Sequence, residues 1–138
     1  MEALTISDKS ISWNDLSYLI SSPGSLRISP QIKKSIKTSN DILRALLKEG
    51  KLIYGVNTGF GKLSSVSINQ SDINQLQLNL VRSHAAGLGK PFSVGIVRVI
   101  MALKILTWSK GYSGVRPKLV NQLINMLNKD IIPLIPSI

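Results

Sequence analysis

Apolar residues recur at helical spacing along most of this chain. Ile32, Ile36, Leu43 and Leu47 share one helical face behind Ser29-Pro30, an N-cap followed by a first-turn proline, and Gly50 closes that helix. Pro117 starts another, with Val120, Leu123, Ile124 and Leu127 inward, and Pro133 and Pro136 prevent its continuation. Between them, Asn69 or Ser71 opens a helix whose Ile73, Leu76 and Leu80 lead at spacings of three and four to His84, with Ala85-Ala86-Gly87 as its end. Pro91 begins a helix to about Lys110 that is apolar on two sides. Ile96, Val99, Ile100, Leu103 and Leu106 line one, and Met101, Ile105 and Trp108 cover the other. Such a helix is expected inside a larger body than 138 residues provide. Near the N-terminus a helical pattern runs from Asn14 to about Ile20 and stops at Ser21-Ser22-Pro23-Gly24. Ahead of it, Leu4-Thr5-Ile6 and Ile11-Ser12-Trp13 flank Ser7-Asp8-Lys9-Ser10 and read as a short hairpin or extended pair. The expected fold is mainly α with a short extended or hairpin segment at the N-terminus, and no repeat or internal linker.

Composition narrows the class. Hydrophobic residues make up 43%, which argues for a packed core and against disorder. No run of about 18 apolar residues is present, so no membrane span is expected. Zero cysteines exclude disulfides and thiolate metal sites, and with a single histidine a protein-built zinc site is not expected. The N-terminus lacks the basic and apolar regions of a secretory signal, and a cytoplasmic location is expected. The charge of +10 raises the question of nucleic acid. The basic residues are spread from Lys9 to Lys129, however, and only Lys33, Lys34 and Lys37 approach a cluster, opposite an apolar stripe. That arrangement reads as a solvated face and argues against nucleic-acid binding; a basic helical binding or interaction remnant is the alternative from a different class.

One octamer is not explained by helix patterning. Tyr54 to Gly61 reads YGVNTGFG, placing Gly55, Gly59 and Gly61 within seven residues. Glycine serves where the backbone turns with positive φ or where a ligand approaches closely. The spacing meets neither GxGxxG nor the P-loop, so a phosphate cradle is not indicated.

The octamer is followed in order by NLVRSHAAGLG (Asn79 to Gly89), KGYSGVRP (Lys110 to Pro117) and LNKDIIPLIPS (Leu127 to Ser137). Together these four blocks resemble the N-terminal part of the aromatic amino acid ammonia-lyases, over nearly the whole chain from about Leu4. The resemblance implies that Tyr54 is the catalytic base and that His84 lies near the substrate side chain. Gly61 resembles a position lining the substrate pocket. The pair Ser83-His84 resembles the histidine-specific members, whereas the best-known phenylalanine and tyrosine enzymes carry Phe-Leu or His-Leu there. The longer string Arg82-Ser83-His84 also resembles some bacterial tyrosine lyases and aminomutases. The implied reaction is elimination of ammonia from L-histidine to give urocanate, by an enzyme that is a homotetramer in this family. A free phenol has a pKa near 10, so a phenolate base at pH 7 costs about 4 kcal/mol unless its site favours it. Arg116 is a weaker candidate for a substrate carboxylate, with a structural ion pair the more ordinary role.

The family makes its electrophilic cofactor, methylidene-imidazolone (MIO), by cyclising an Ala-Ser-Gly tripeptide a few residues after the IPLIP block. Ala-Ser-Gly occurs nowhere in these 138 residues. The expectation is therefore that residues 1–138 form a partial N-terminal domain, a fragment in which no MIO can form and which is inactive by itself.

Overall fold

The computed structural model describes residues 3–63, 66, 68 and 71–138. Strand β1 (Leu4–Ile6) is followed by α1 (Trp13–Ser17), a 3-10 turn (Tyr18–Ile20) and strand β2 (Leu26–Ile28). Helix α2 (Pro30–Lys48) then leads to the glycine-rich loop and a 3-10 turn at Gly61–Leu63, and α3 (Ile73–His84), α4 (Val94–Ser109) and α5 (Pro117–Asn128) complete the order.

The N-terminal segment is extended as expected, but its partner is different. β1 pairs with β2, not with Ile11-Ser12-Trp13, and the pairing is parallel, with Leu4 opposite Leu26 and Ile6 opposite Ile28. The reason lies at Ser12. Its backbone N–H and its hydroxyl both donate to the Asp15 carboxylate at 2.7 Å, which makes Ser12 a helix start and Trp13 the first helical residue. These bonds, hydroxyl first, hold the Asp15 carboxyl below its ordinary value. A parallel pair needs a long crossover, and α1 with its 3-10 turn supplies it. On the outer edge of β2, the Asn128 amide accepts from Leu26 N–H at 2.8 Å and donates to Leu26 C=O at 3.0 Å. The end of α5 thus closes an edge that would otherwise lie open.

The capping residues act as the helix pattern requires. Ser29 accepts from Ile32 N–H at 3.3 Å, Pro30 takes the first turn of α2, and Gly50 follows the helix at φ 74°. Helix α3 opens at Asp72, one residue after the expected start at Ser71; Asn69, the alternative start, lies outside the described residues. Helix α4 begins at Val94 behind Ser93, three residues later than Pro91. The intervening Phe92 N–H donates instead to Ile135 C=O at 2.9 Å, so this segment is extended against the C-terminal residues.

The core joins β1, α1, the 3-10 turn, β2, α4 and α5 through Ile6, Leu16, Leu19, Leu26, Val97, Ile105, Val120 and Leu127, all buried. Helix α4 crosses its middle. Gly95 lets the first turn of α4 meet the 3-10 turn, since a Cβ there would lie 2.0 Å from the Ile20 carbonyl oxygen. Met101 and Ile105 face the core, whereas Ile96 (43% exposed), Ile100 (39%) and Leu103 (47%) form an outward row. Arg98 on α4 makes a two-pronged ion pair with Asp130, Nε to Oδ1 at 2.8 Å and a terminal guanidinium nitrogen to Oδ2 at 2.9 Å. Helix α3 buries none of its residues. Among the described residues no helix is long and apolar enough to cross a membrane.

Candidate active site

Tyr54 stands at the tip of a turn built by its own neighbours. Ile53 C=O accepts from Val56 N–H at 3.0 Å, with Tyr54 and Gly55 between them and Gly55 at φ 74°. A side chain is disfavoured at that φ, which accounts for the glycine immediately after the tyrosine. Asn57 locks the turn from behind. Its buried side chain accepts from Ile53 N–H at 2.7 Å and donates to Lys51 C=O at 2.9 Å. The chain then runs as a short pairing, with Ile68 N–H donating to Asn57 C=O at 3.0 Å. Thr58 is buried beneath the loop. Tyr54 itself is 66% exposed, its ring edge-on to Phe60 at 6.0 Å between centroids and 74° between planes.

Tyr54 borders a groove of about 480 Å³ between the end of α2 and the loop after α4, with Ile42 and Leu46 on one wall and Gly111 to Gly114 on the other. That loop is pressed onto α2. Asn40 donates to Gly114 C=O at 2.7 Å, and Gly114 N–H donates to the Ser39 hydroxyl at 3.0 Å. Tyr112 lines the same groove and is 91% exposed. Neither Asn57 nor Tyr112 is set apart by its sequence pattern. Tyr112 follows Gly111 and Asn57 lies inside the glycine-rich octamer, but only the folded contacts separate a locking side chain from a solvated one.

His84 closes α3 on an exposed surface. Its Nδ1 lies 2.9 Å from Leu80 C=O and 3.1 Å from the Ser83 hydroxyl, and that hydroxyl also donates to Leu80 C=O at 3.0 Å. A carbonyl oxygen only accepts, so this geometry places the proton on Nδ1 and, in the neutral ring, the lone pair on Nε2. Ser83 therefore faces its own helix end and the histidine ring. His84, Ser83 and Gly61 are not among the walls of the groove beside Tyr54, so these 138 residues do not unite the candidate residues in that groove. Arg116 is exposed and starts α5; it belongs to neither ion pair found among the described residues, Lys37–Asp41 and Arg98–Asp130. No cluster of His, Cys, Asp and Glu suited to a metal ion occurs among the described residues.

The chain belongs to the aromatic amino acid lyase family, whose sequence pattern matches residues 11–138. It is 40% identical over 137 residues to the histidine ammonia-lyase of Treponema denticola, covering 99% of this chain and 27% of that protein. The structure superposes on tyrosine aminomutase from Streptomyces globisporus with a TM-score of 0.92 at 29% identity, over 99% of this chain and 26% of the other. It also superposes on histidine ammonia-lyase from Trypanosoma cruzi with a TM-score of 0.85 at 27% identity, over 98% of this chain and 26% of the other. The chain thus spans about a quarter of the length of the relatives it matches.

Proposed function

We propose that this chain is the base-bearing N-terminal segment of a histidine ammonia-lyase, an enzyme that eliminates ammonia from L-histidine to give urocanate. The observation that carries the reading is Tyr54, held at an open turn tip by Asn57 and Gly55. Tyr54 takes the β-proton onto its phenolic oxygen as the C–N bond breaks and ammonia leaves, the electron pair forming the new C=C bond. His84 offers Nε2 as an acceptor for an N–H of the substrate, and Ser83 keeps the opposite ring nitrogen engaged. Gly61, at φ 55° with open space where a Cβ would stand, offers backbone that a substrate can approach closely. MIO is the electrophile of this family, and the residues present do not fit its formation, because Ala-Ser-Gly is missing from all 138 of them. The residues of this chain therefore account for proton removal and substrate contact only, and 1–138 by themselves are inactive. The intact enzyme is a cytoplasmic homotetramer, in which the outward row of α4 is covered.

The second reading, a tyrosine or phenylalanine lyase or aminomutase, is favoured by the close superposition on tyrosine aminomutase. Extending the chain through the region that follows in its relatives and assaying histidine, tyrosine and phenylalanine separates the two. Ammonia release from histidine is expected, and its absence sinks the first reading. In that extended enzyme Tyr54→Phe should lower kcat at least 100-fold with substrate binding largely kept, on the usual scale of general base catalysis. Unchanged turnover removes Tyr54 from the role.

A further inference from the structure

The segment after His84 is held by the last residues of the chain. Leu88 N–H donates to Ile138 C=O at 2.6 Å, and Ile138 N–H returns to Leu88 C=O at 3.0 Å. Ser137 N–H donates to Lys90 C=O at 3.1 Å and Phe92 N–H to Ile135 C=O at 2.9 Å. Pro91 and Pro136 face each other in this antiparallel pairing. Two glycines make the approach possible. A Cβ on Gly87 would lie 2.7 Å from Pro136 Cγ and 3.0 Å from its Cβ, inside contact distance of a ring that cannot swing away. Gly89 adopts φ 85° with Ile138 and Ser137 side-chain atoms 3.2 Å from where its Cβ would stand. Every residue from Val81 to Ser93 is exposed, so hydrophobic packing within this chain does not fix the exit from α3. The backbone pairing is what fixes it.

We infer that Gly87 and Gly89 are positioning residues for the site. They admit residues 135–138 as a strand beside 88–92, and so hold the His84 end of α3 in one register with the chain's last residues. The functional part rests on the reading of His84 as a substrate contact; the pairing itself does not. Neither glycine touches the reacting atoms, so replacement should act through the register of His84.

The test is amide hydrogen exchange on the 138-residue chain, with Gly87→Ala, Pro136→Ala and the double variant. In Gly87→Ala, the amides of Leu88, Phe92, Ser137 and Ile138 should exchange at least tenfold faster, while amides of α4 and α5 stay unchanged and report intact folding. Pro136→Ala removes the atom nearest the added methyl, so the double variant should recover protection. In the chain extended as above, Gly87→Ala should raise KM for the amino acid about tenfold with a smaller effect on kcat, and Pro136→Ala should restore it. Unaltered protection in Gly87→Ala, or no recovery in the double variant, overturns the pairing role. Loss of protection with unchanged KM overturns the link to His84. Should the α4 and α5 amides also lose protection, Gly89→Ala provides the same reading, and normal protection at the four amides in that variant counts against the proposal. Inactivity of Tyr54→Phe is read separately, so failure of the base assignment and failure of this register are distinguishable.

Discussion

Gly95 offers a sharp test of how this core is assembled. Helix α4 can lie against the Tyr18–Ile20 turn only because residue 95 has no side chain: an added Cβ would stand 2.0 Å from the Ile20 carbonyl oxygen and 2.7 Å from its carbonyl carbon and Cα. All three are backbone atoms, so no rotamer change relieves the clash. Overpacking a close-packed interior costs about 1–3 kcal/mol, and a contact that must move backbone belongs at the upper end. Alanine returns about 1 kcal/mol through its better helix propensity. The net expectation for Gly95→Ala is a loss of about 2 kcal/mol, or about 4–10 °C in Tm for a chain of this size. Gly50→Ala is the control. Gly50 has φ 74° but nothing within 4 Å of its Cβ position, so only the left-handed conformation is penalised, at about 1 kcal/mol. Urea unfolding followed by helical circular dichroism measures both. A Gly95→Ala protein as stable as the parent, or less affected than Gly50→Ala, refutes the close-approach argument.

Two further outcomes follow from single contacts. The Arg98 guanidinium, bonded to both oxygens of Asp130, holds that carboxyl below its ordinary value. The folded state therefore keeps Asp130 ionised at a pH where the unfolded chain protonates it, so the pair's contribution is complete above about pH 4 and is lost as pH falls through the lower folded value. Urea midpoints between pH 5 and 2 should fall more steeply for the parent than for Asp130→Asn, and parallel curves would count against the ion pair. Asn57→Ala removes both side-chain bonds that lock the turn under Tyr54, at a cost of about 1–3 kcal/mol for the polar groups left behind. In the extended enzyme it should lower kcat at least tenfold while the far-ultraviolet spectrum stays unchanged; normal turnover would mean that Tyr54 is oriented by something else.

Helix starts and stops were legible where local chemistry decides them. Ser29-Pro30, Gly50 and Pro117 behave as their residue types require, and Val120, Ile124 and Leu127 point inward as their spacing predicts. Strand pairing was not legible. Leu4-Thr5-Ile6 reads as extended, but its partner lies beyond a crossover, and Ser12 with Asp15 converts the nearer candidate into a helix start. The α4 boundary shifted because Pro91 and Phe92 are taken by a pairing with residues more than 40 positions away, which no local pattern encodes. Among the candidate site residues, Tyr54 and His84 were singled out through the family blocks. Asn57 and Tyr112 were not, since an asparagine in a glycine loop and a tyrosine between glycines fit a solvated turn equally well until their contacts are known.

Tyr54, His84 and the outward row on α4 all lie outside the core of this chain. The core uses one side of α4, and its interior is closed by residues of this chain alone, among them Ile105, Val120 and Leu127. Ile96, Ile100 and Leu103 gain nothing from that core, yet they are as apolar as the residues that do. A sequence that served only these 138 residues would place polar groups in that row, because three exposed aliphatic side chains at helical spacing favour association over solubility. On the function proposed above, the row is covered within the intact enzyme; the chain spans 27% of the length of the relative from Treponema denticola. The same partition governs the chemistry. The bonds that hold Tyr54 run between Lys51 and Asn57, and those that orient His84 run between Leu80 and His84, so each side chain is prepared by residues within one or two turns of itself. Each candidate side chain is thus oriented locally, by bonds that its own turn or helix end supplies.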